Sequence, residues 1–188
     1  TLEAVTRMVG RGVPVLIERA WEGLGKSIDP AERDRVVDRF LAIYEPRATE
    51  LTTLTAGASE ATRALVDAGT PIGVVTNKPE AATREILSHF GLSELMQVVV
   101  GGDAGPAKKP EPGLLLLACE RLGLAVDQVV FVGDSENDVA AAKAAGMTVV
   151  VLRGGYTSIA ADDLGADAVV DRLDGLGAAV STLRSAPA

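Results

Sequence analysis

Apolar positions in the first fifty residues recur at helical spacing. Leu2, Val5, Met8 and Val9 form one stripe, which Gly10 and Gly12 interrupt. Pro14 can open a second helix through Val15, Ile17 and Trp21 that ends near Gly23. Pro30 can open a third, with Val36, Val37, Phe40, Leu41 and Tyr44 as its stripe. Pro46 and the threonines at 49, 52, 53 and 55 read as a linker ending at Gly57. The pattern then changes. Helices are predicted over 59–68, 80–90, 112–122 and 137–145, with Gly69, Gly91, Gly123 and Gly146 as their stops. Between and after them stand short β-branched runs at 72–75, 98–100, 129–132, 149–152 and 168–170. Strands that are apolar on both sides belong in a parallel sheet covered by helices. The expected class is therefore α/β, a doubly wound parallel sheet, with a helical domain over 1–52 and the sheet domain over 53–188. Ligands of such sheets sit at the carboxyl ends of the strands.

Composition narrows the function. The chain has 188 residues, 18 basic and 26 acidic, for a net charge of −8, and 47% of it is apolar. That apolar share excludes a disordered chain. No apolar run approaches the roughly 18 residues of a membrane span; the run at 114–119 falls far short. A nucleic-acid groove needs a basic face, and this chain is acidic and only 3% aromatic. The single cysteine, Cys119, precludes an internal disulfide and suits a reducing cytosol, so a cytoplasmic location is expected. No signal-peptide pattern is present.

Three strand ends carry polar residues that apolar surroundings do not explain. The first is Val74-Val75-Thr76-Asn77-Lys78-Pro79. A hydroxyl at a strand tip, a free N–H at Asn77 and a helix start suit an anion such as phosphate. Thr and Asn are equally good helix caps. The second is Lys108-Lys109-Pro110-Glu111-Pro112. A lysine on a proline-stiffened turn could offset phosphate charge, or the pair could be solvated. The third is Gly133-Asp134-Ser135-Glu136-Asn137-Asp138. Asp134 and Asp138, four residues apart at a strand end and a helix start, can converge on a hard cation, and oxygen ligands with retained waters suit Mg²⁺. The competing reading is a capping turn on the helix dipole. Three acids in five residues weigh against it, because they repel without a cation among them.

Other features read as structural. Gly10-Arg11-Gly12 and the segment from Gly101 to Gly105 lack the Lys-Ser/Thr ending of a nucleotide-binding loop. His89 lies outside any motif, and Cys119 and Trp21 suit packing.

In order and spacing, these motifs resemble those of the haloacid dehalogenase superfamily of phosphohydrolases, and within it the phosphoglycolate phosphatase group. The 74–79 segment resembles its second motif, Lys109-Pro110-Glu111-Pro112 its third, and the 133–138 segment with Ala144-Ala145-Gly146-Met147 its fourth. Val9-Gly10-Arg11-Gly12-Val13-Pro14 resembles the group's cap over the active site. The resemblance implies a Mg²⁺-dependent phosphomonoester hydrolase acting on a small phosphorylated acid such as 2-phosphoglycolate. It implies that Thr76 and the Asn77 backbone hold a phosphoryl oxygen, and that Lys109 offsets charge. It also implies that Asp134 binds the metal, that Asp138 supports the metal waters or Lys109, and that Arg11 meets the substrate carboxylate.

The family's first motif, a strand ending in Asp-x-Asp-Gly-Thr that supplies the nucleophile, has no counterpart here, since no Asp-x-Asp occurs in the chain. The resemblance places it upstream of Thr1, as the central strand between those carrying the second and fourth motifs. The chain by itself is then expected to be inactive, with a gap to be filled by upstream residues, by a strand swapped from a second copy in a homodimer, or by direct pairing of the two edges. Three alternatives stand beside this reading: an inactive fragment that keeps both pockets; a dehalogenase, which would be insensitive to EDTA; and a receiver-type domain.

Overall fold

The computed structural model describes residues 1–6, 8–157 and 159–185. Three helices come first: α1 (Leu2–Thr6), α2 (Val13–Glu22) and α3 (Pro30–Tyr44). The expected first helix is shorter than its apolar stripe. Asp29 starts α3 by accepting the backbone N–H groups of Ala31 and Glu32, both at 3.0 Å. In this arm α2 and α3 pack on each other, yet only Ile17 of α2 and no residue of α3 is fully buried.

The α/β region runs α4 (Ala58–Asp67), β1 (Gly73–Val75), α5 (Glu80–His89), β2 (Val98–Val100), α6 (Gly113–Leu122), β3 (Val130–Gly133), α7 (Glu136–Ala145), β4 (Thr148–Leu152), β5 (Ala168–Val170) and α8 (Leu176–Ser185). All strand pairs are parallel. The alternation along β4 shows why both faces are apolar. Val149 and Val151 face Leu115, Cys119, Val139 and Ala142 of α6 and α7. Val150 faces the other way, onto Val170, Leu176 and Leu65. Around β2, Val98 and Val100 pack on Leu114 and Ala118 of α6, while Val99 packs on Leu87 of α5. Helices thus cover both faces, as a doubly wound α/β fold requires. The helix α8 was not among the predicted elements.

The strands form two hydrogen-bonded groups, β1–β2 and β3–β4–β5. Among the described residues no ladder joins β1 to β3. Val75 nonetheless packs against the cores of both groups, and α6 contributes side chains to both, so the layers are continuous.

Candidate active site

The three singled-out strand ends meet where β1 and β3 terminate. Lys109 arrives on the loop between β2 and α6. Its Nζ donates to the Val75 carbonyl at 3.0 Å and to Asp138 Oδ1 at 2.7 Å, and lies 5.1 Å from the centroid of the Phe131 ring. One ammonium therefore bridges the end of β1 and the start of α7. The Lys109 and Asp138 side chains are only 10% and 8% exposed. Such an ion pair survives burial only when its remaining valences are met. On the carboxylate they are: Asp138 Oδ2 accepts the Ser135 hydroxyl at 2.7 Å and the Asp134 N–H at 3.1 Å, while Lys109 keeps one hydrogen beyond those given to Val75 and Asp138.

Burial pushes the Asp138 carboxyl up. The charge and hydrogen bond of Lys109, helped by Ser135 and the Asp134 N–H, outweigh it and hold Asp138 below the ordinary carboxylate range. Asp134 is moved the other way. Burial raises it first, then the charge and proximity of Asp138, against weaker opposition from the Tyr156 N–H and Lys109. Both Asp138 oxygens are engaged within the chain, so Asp134 is the member of the pair with capacity for a cation. Its carboxyl is raised by burial first and by the neighbouring Asp138 charge second, and Lys109 does not offset the two. A hard ion held by one or two carboxylates and several waters fits this donor chemistry. No cluster of three potential metal-ligating side chains occurs among the described residues.

The capping reading of Thr76 and Asn77 does not match the geometry. Helix α5 starts after Pro79, and Asp103 caps it from the following loop, accepting the Glu80 N–H at 2.8 Å. Thr76 and Asn77 are free of that duty. Thr76 Oγ1 accepts the Lys78 N–H at 3.1 Å, which leaves its own hydrogen to donate. The Asn77 side chain, only 7% of this residue being exposed, donates from Nδ2 to the carbonyls of Gly10 and Lys109, both at 2.8 Å. Its Oδ1 accepts the Lys109 N–H at 2.9 Å. Arg11, between two glycines at φ 118° and 86°, therefore lies on a backbone strap seated against the β1 end, with its own side chain exposed.

Several contributors escaped the sequence reading. Gly154 and Gly155 follow β4, and a Cβ on Gly155 would overlap the Asp134 backbone oxygen and Cβ. A glycine pair at a strand's carboxyl end was the available signal. These residues line a cavity of about 380 Å³ with Thr6, Asp134, Arg153 and Tyr156. Lys78 Nζ donates to the Tyr44 hydroxyl at the end of α3 and lies 4.7 Å from its ring centroid. A larger crevice of about 570 Å³, lined by Arg84 and Arg121 along β2, is remote from these groups.

Residues 16–152 match the family model described as haloacid dehalogenase-like hydrolase. A phosphoglycolate phosphatase of Cereibacter sphaeroides is 41% identical over 164 residues, 87% of this chain and 74% of that protein. The crystal structure of a predicted phosphoglycolate phosphatase from Haemophilus somnus superposes with a TM-score of 0.87 at 30% identity, over 96% of this chain and 82% of that one. The structure of CbbY from Rhodobacter sphaeroides in complex with phosphate superposes with a TM-score of 0.73 at 27% identity, over 94% and 80%.

Proposed function

This chain belongs to the haloacid dehalogenase-like hydrolases and is a phosphatase-type hydrolase, and from that premise we propose that it serves hydrolysis of a small phosphorylated acid, 2-phosphoglycolate, with Mg²⁺. The observation that carries the proposal is the Lys109 ammonium held between Val75 and Asp138, with the Asp134 carboxyl next to that pair. In this reading the Thr76 hydroxyl and the Asn77 N–H hold a phosphoryl oxygen. The third Lys109 hydrogen, not used by Val75 or Asp138, points charge at the same group. Asp134 holds Mg²⁺, and Asp138 acts through Lys109. When bound, the ion neutralises phosphoryl charge that builds during transfer. The residues of the helical arm form the cap, residues 1–52, and Arg11 meets the substrate carboxylate.

The attacking carboxylate comes from a segment outside these 188 residues. It bonds to phosphorus as the ester P–O bond breaks and glycolate leaves with a proton. Water then cleaves the aspartyl-phosphate to inorganic phosphate and the free carboxylate.

Calorimetry tests the metal and substrate assignments without turnover. Asp134→Asn should lower Mg²⁺ affinity by at least about tenfold. Gly155→Ala should do the same by displacing Asp134, since groups that orient a ligand are worth about 10–100-fold. Protons compete for the raised Asp134 carboxyl, so Mg²⁺ affinity should fall on acidification from a pH above the ordinary Asp value of about 3.9. An Mg²⁺ affinity indifferent to Asp134→Asn removes the metal assignment. Arg11→Ala should weaken 2-phosphoglycolate while leaving orthophosphate unchanged, and equal losses for both would remove Arg11 from carboxylate recognition.

A further inference from the structure

We propose that the Asn77 carboxamide is a latch that couples seating of the 10–12 strap to the placement of Lys109, making Asn77 a positioning residue. The proposal uses the phosphoryl reading of Thr76 and Lys109 only for its ligand arm. A carboxamide offers two hydrogens and one acceptor oxygen in one plane. Asn77 commits all three: one hydrogen to Gly10 in the helical arm, and the other hydrogen and the oxygen to the two backbone groups of Lys109. The same planar group thus holds the strap and the lysine loop. If the strap lifts, one side of a buried amide loses its partner, and that loss is costly enough to loosen the rest.

The surrounding geometry concentrates this coupling at one place. Gly10 and Gly12 adopt positive φ, which only glycine takes without strain, so the strap is shaped to present its carbonyl. A Cβ on Gly12 would lie 3.1 Å from Lys108 Nζ, and one on Gly10 would lie 3.4 Å from Asn137 Nδ2. The strap therefore lies against the loop that follows β1, and close to the loop that follows β2 and the first turn of α7. Lys78, the next residue after Asn77, meets Tyr44 at the far end of the arm. The strap and the end of α3 are consequently held by adjacent residues of one loop, which begins at Thr76. A phosphoryl group bound there favours the seated strap, and by reciprocity the seated strap favours the phosphoryl group.

The test reads strap and lysine separately in the intact chain. Trypsin cleavage at Arg11–Gly12, followed by mass spectrometry, reports strap opening. Modification of Lys109 by an amine reagent reports its release, and the buried thiol of Cys119 reports general unfolding. Asn77→Ala should raise cleavage at Arg11–Gly12 by at least about fivefold, the equivalent of one hydrogen bond's net worth. It should also raise Lys109 modification while Cys119 stays unreactive. Gly10→Ala, which strains the strap and leaves Asn77 intact, should raise Lys109 modification as well. An unchanged Lys109 in Gly10→Ala, or an unchanged cleavage rate in Asn77→Ala, overturns the latch. If Cys119 becomes reactive in Asn77→Ala, the Gly10→Ala result decides alone. Orthophosphate with Mg²⁺ should slow strap cleavage in the wild type and not in Asn77→Ala. No slowing in the wild type, with both variant effects present, overturns the phosphoryl reading and leaves the latch standing.

Discussion

Replacing Lys109 by Met is expected to cost about 3–5 kcal/mol of folding free energy, because it leaves Asp138 as an uncompensated buried charge beside Asp134. Lys108→Met should cost far less, no more than about 1 kcal/mol, because the half-buried Lys108 makes no ion pair among the described residues and its loss strands no charge. The two lysines are neighbours of one type, so the contrast isolates the Lys109 ion pair. Urea unfolding of both variants measures it. Adding Asp138→Asn to Lys109→Met should recover part of the loss, since a neutral amide carries no stranded charge. The pH dependence has a definite sign. Asp138 is held below its ordinary value, so its contribution is present above the unfolded carboxylate pKa of about 3.9 and is lost as pH falls through the lower folded value. In Lys109→Met the carboxyl loses its cation and rises, so acidification should narrow the gap to wild type. Equal losses for the two lysines would remove Lys109 from the centre of the site.

The strands were legible because Val-rich runs such as 149–151 are apolar on both faces and can only be buried between helix layers. Two strand ends were legible because Thr76 and Asp134 each break an apolar pattern at its carboxyl end, and Lys109 because it stands on a proline-stiffened turn ahead of an apolar helix. What escaped is non-local. Asp103 caps a helix twenty-three residues earlier, and nothing in its own loop announces this. The division of labour between Asp134 and Asp138 depends on Lys109 arriving from another loop to occupy one of them. The Asn77 carboxamide looks like a helix cap until Gly10 and Lys109 are found around it. Helix α8 was missed although Leu176, Val180 and Leu183 recur at helical spacing. Two glycines, Gly175 and Gly177, obscure its start, and its partner surface on Val150 and Val170 is supplied only by the fold. The arm's stripe on α3 was legible as a helix and yet remains half-buried, because periodicity reports a face and not what covers it.

The largest expected effect concerns turnover. Thr1–Ala188 should hydrolyse 2-phosphoglycolate at least roughly 10³-fold more slowly than the same chain carrying an N-terminal extension with a β-branched strand ending in Asp-x-Asp-Gly-Thr. Losing a nucleophile costs a hydrolase about that much or more. Two features motivate the prediction. No Asp-x-Asp occurs in the sequence. Among the described residues, β1 and β3 share no ladder, although Val75 packs against both cores and Lys109 spans their ends. A strand inserted between them would stand about 4.8 Å from each, with its end at the Lys109 ammonium. It would pair backbone groups that otherwise face the gap, each costing on the order of 1–3 kcal/mol if buried and unpaired. The extension should therefore raise the unfolding free energy as well as the rate. Replacing the first Asp of the extension by Asn separates the two effects: stability should persist while turnover disappears. Two results would defeat the proposal. One is turnover by Thr1–Ala188 at a rate matching the extended chain. The other is an extended chain whose Asp→Asn form remains fully active, since the attacking carboxylate would then have to lie within the 188 residues.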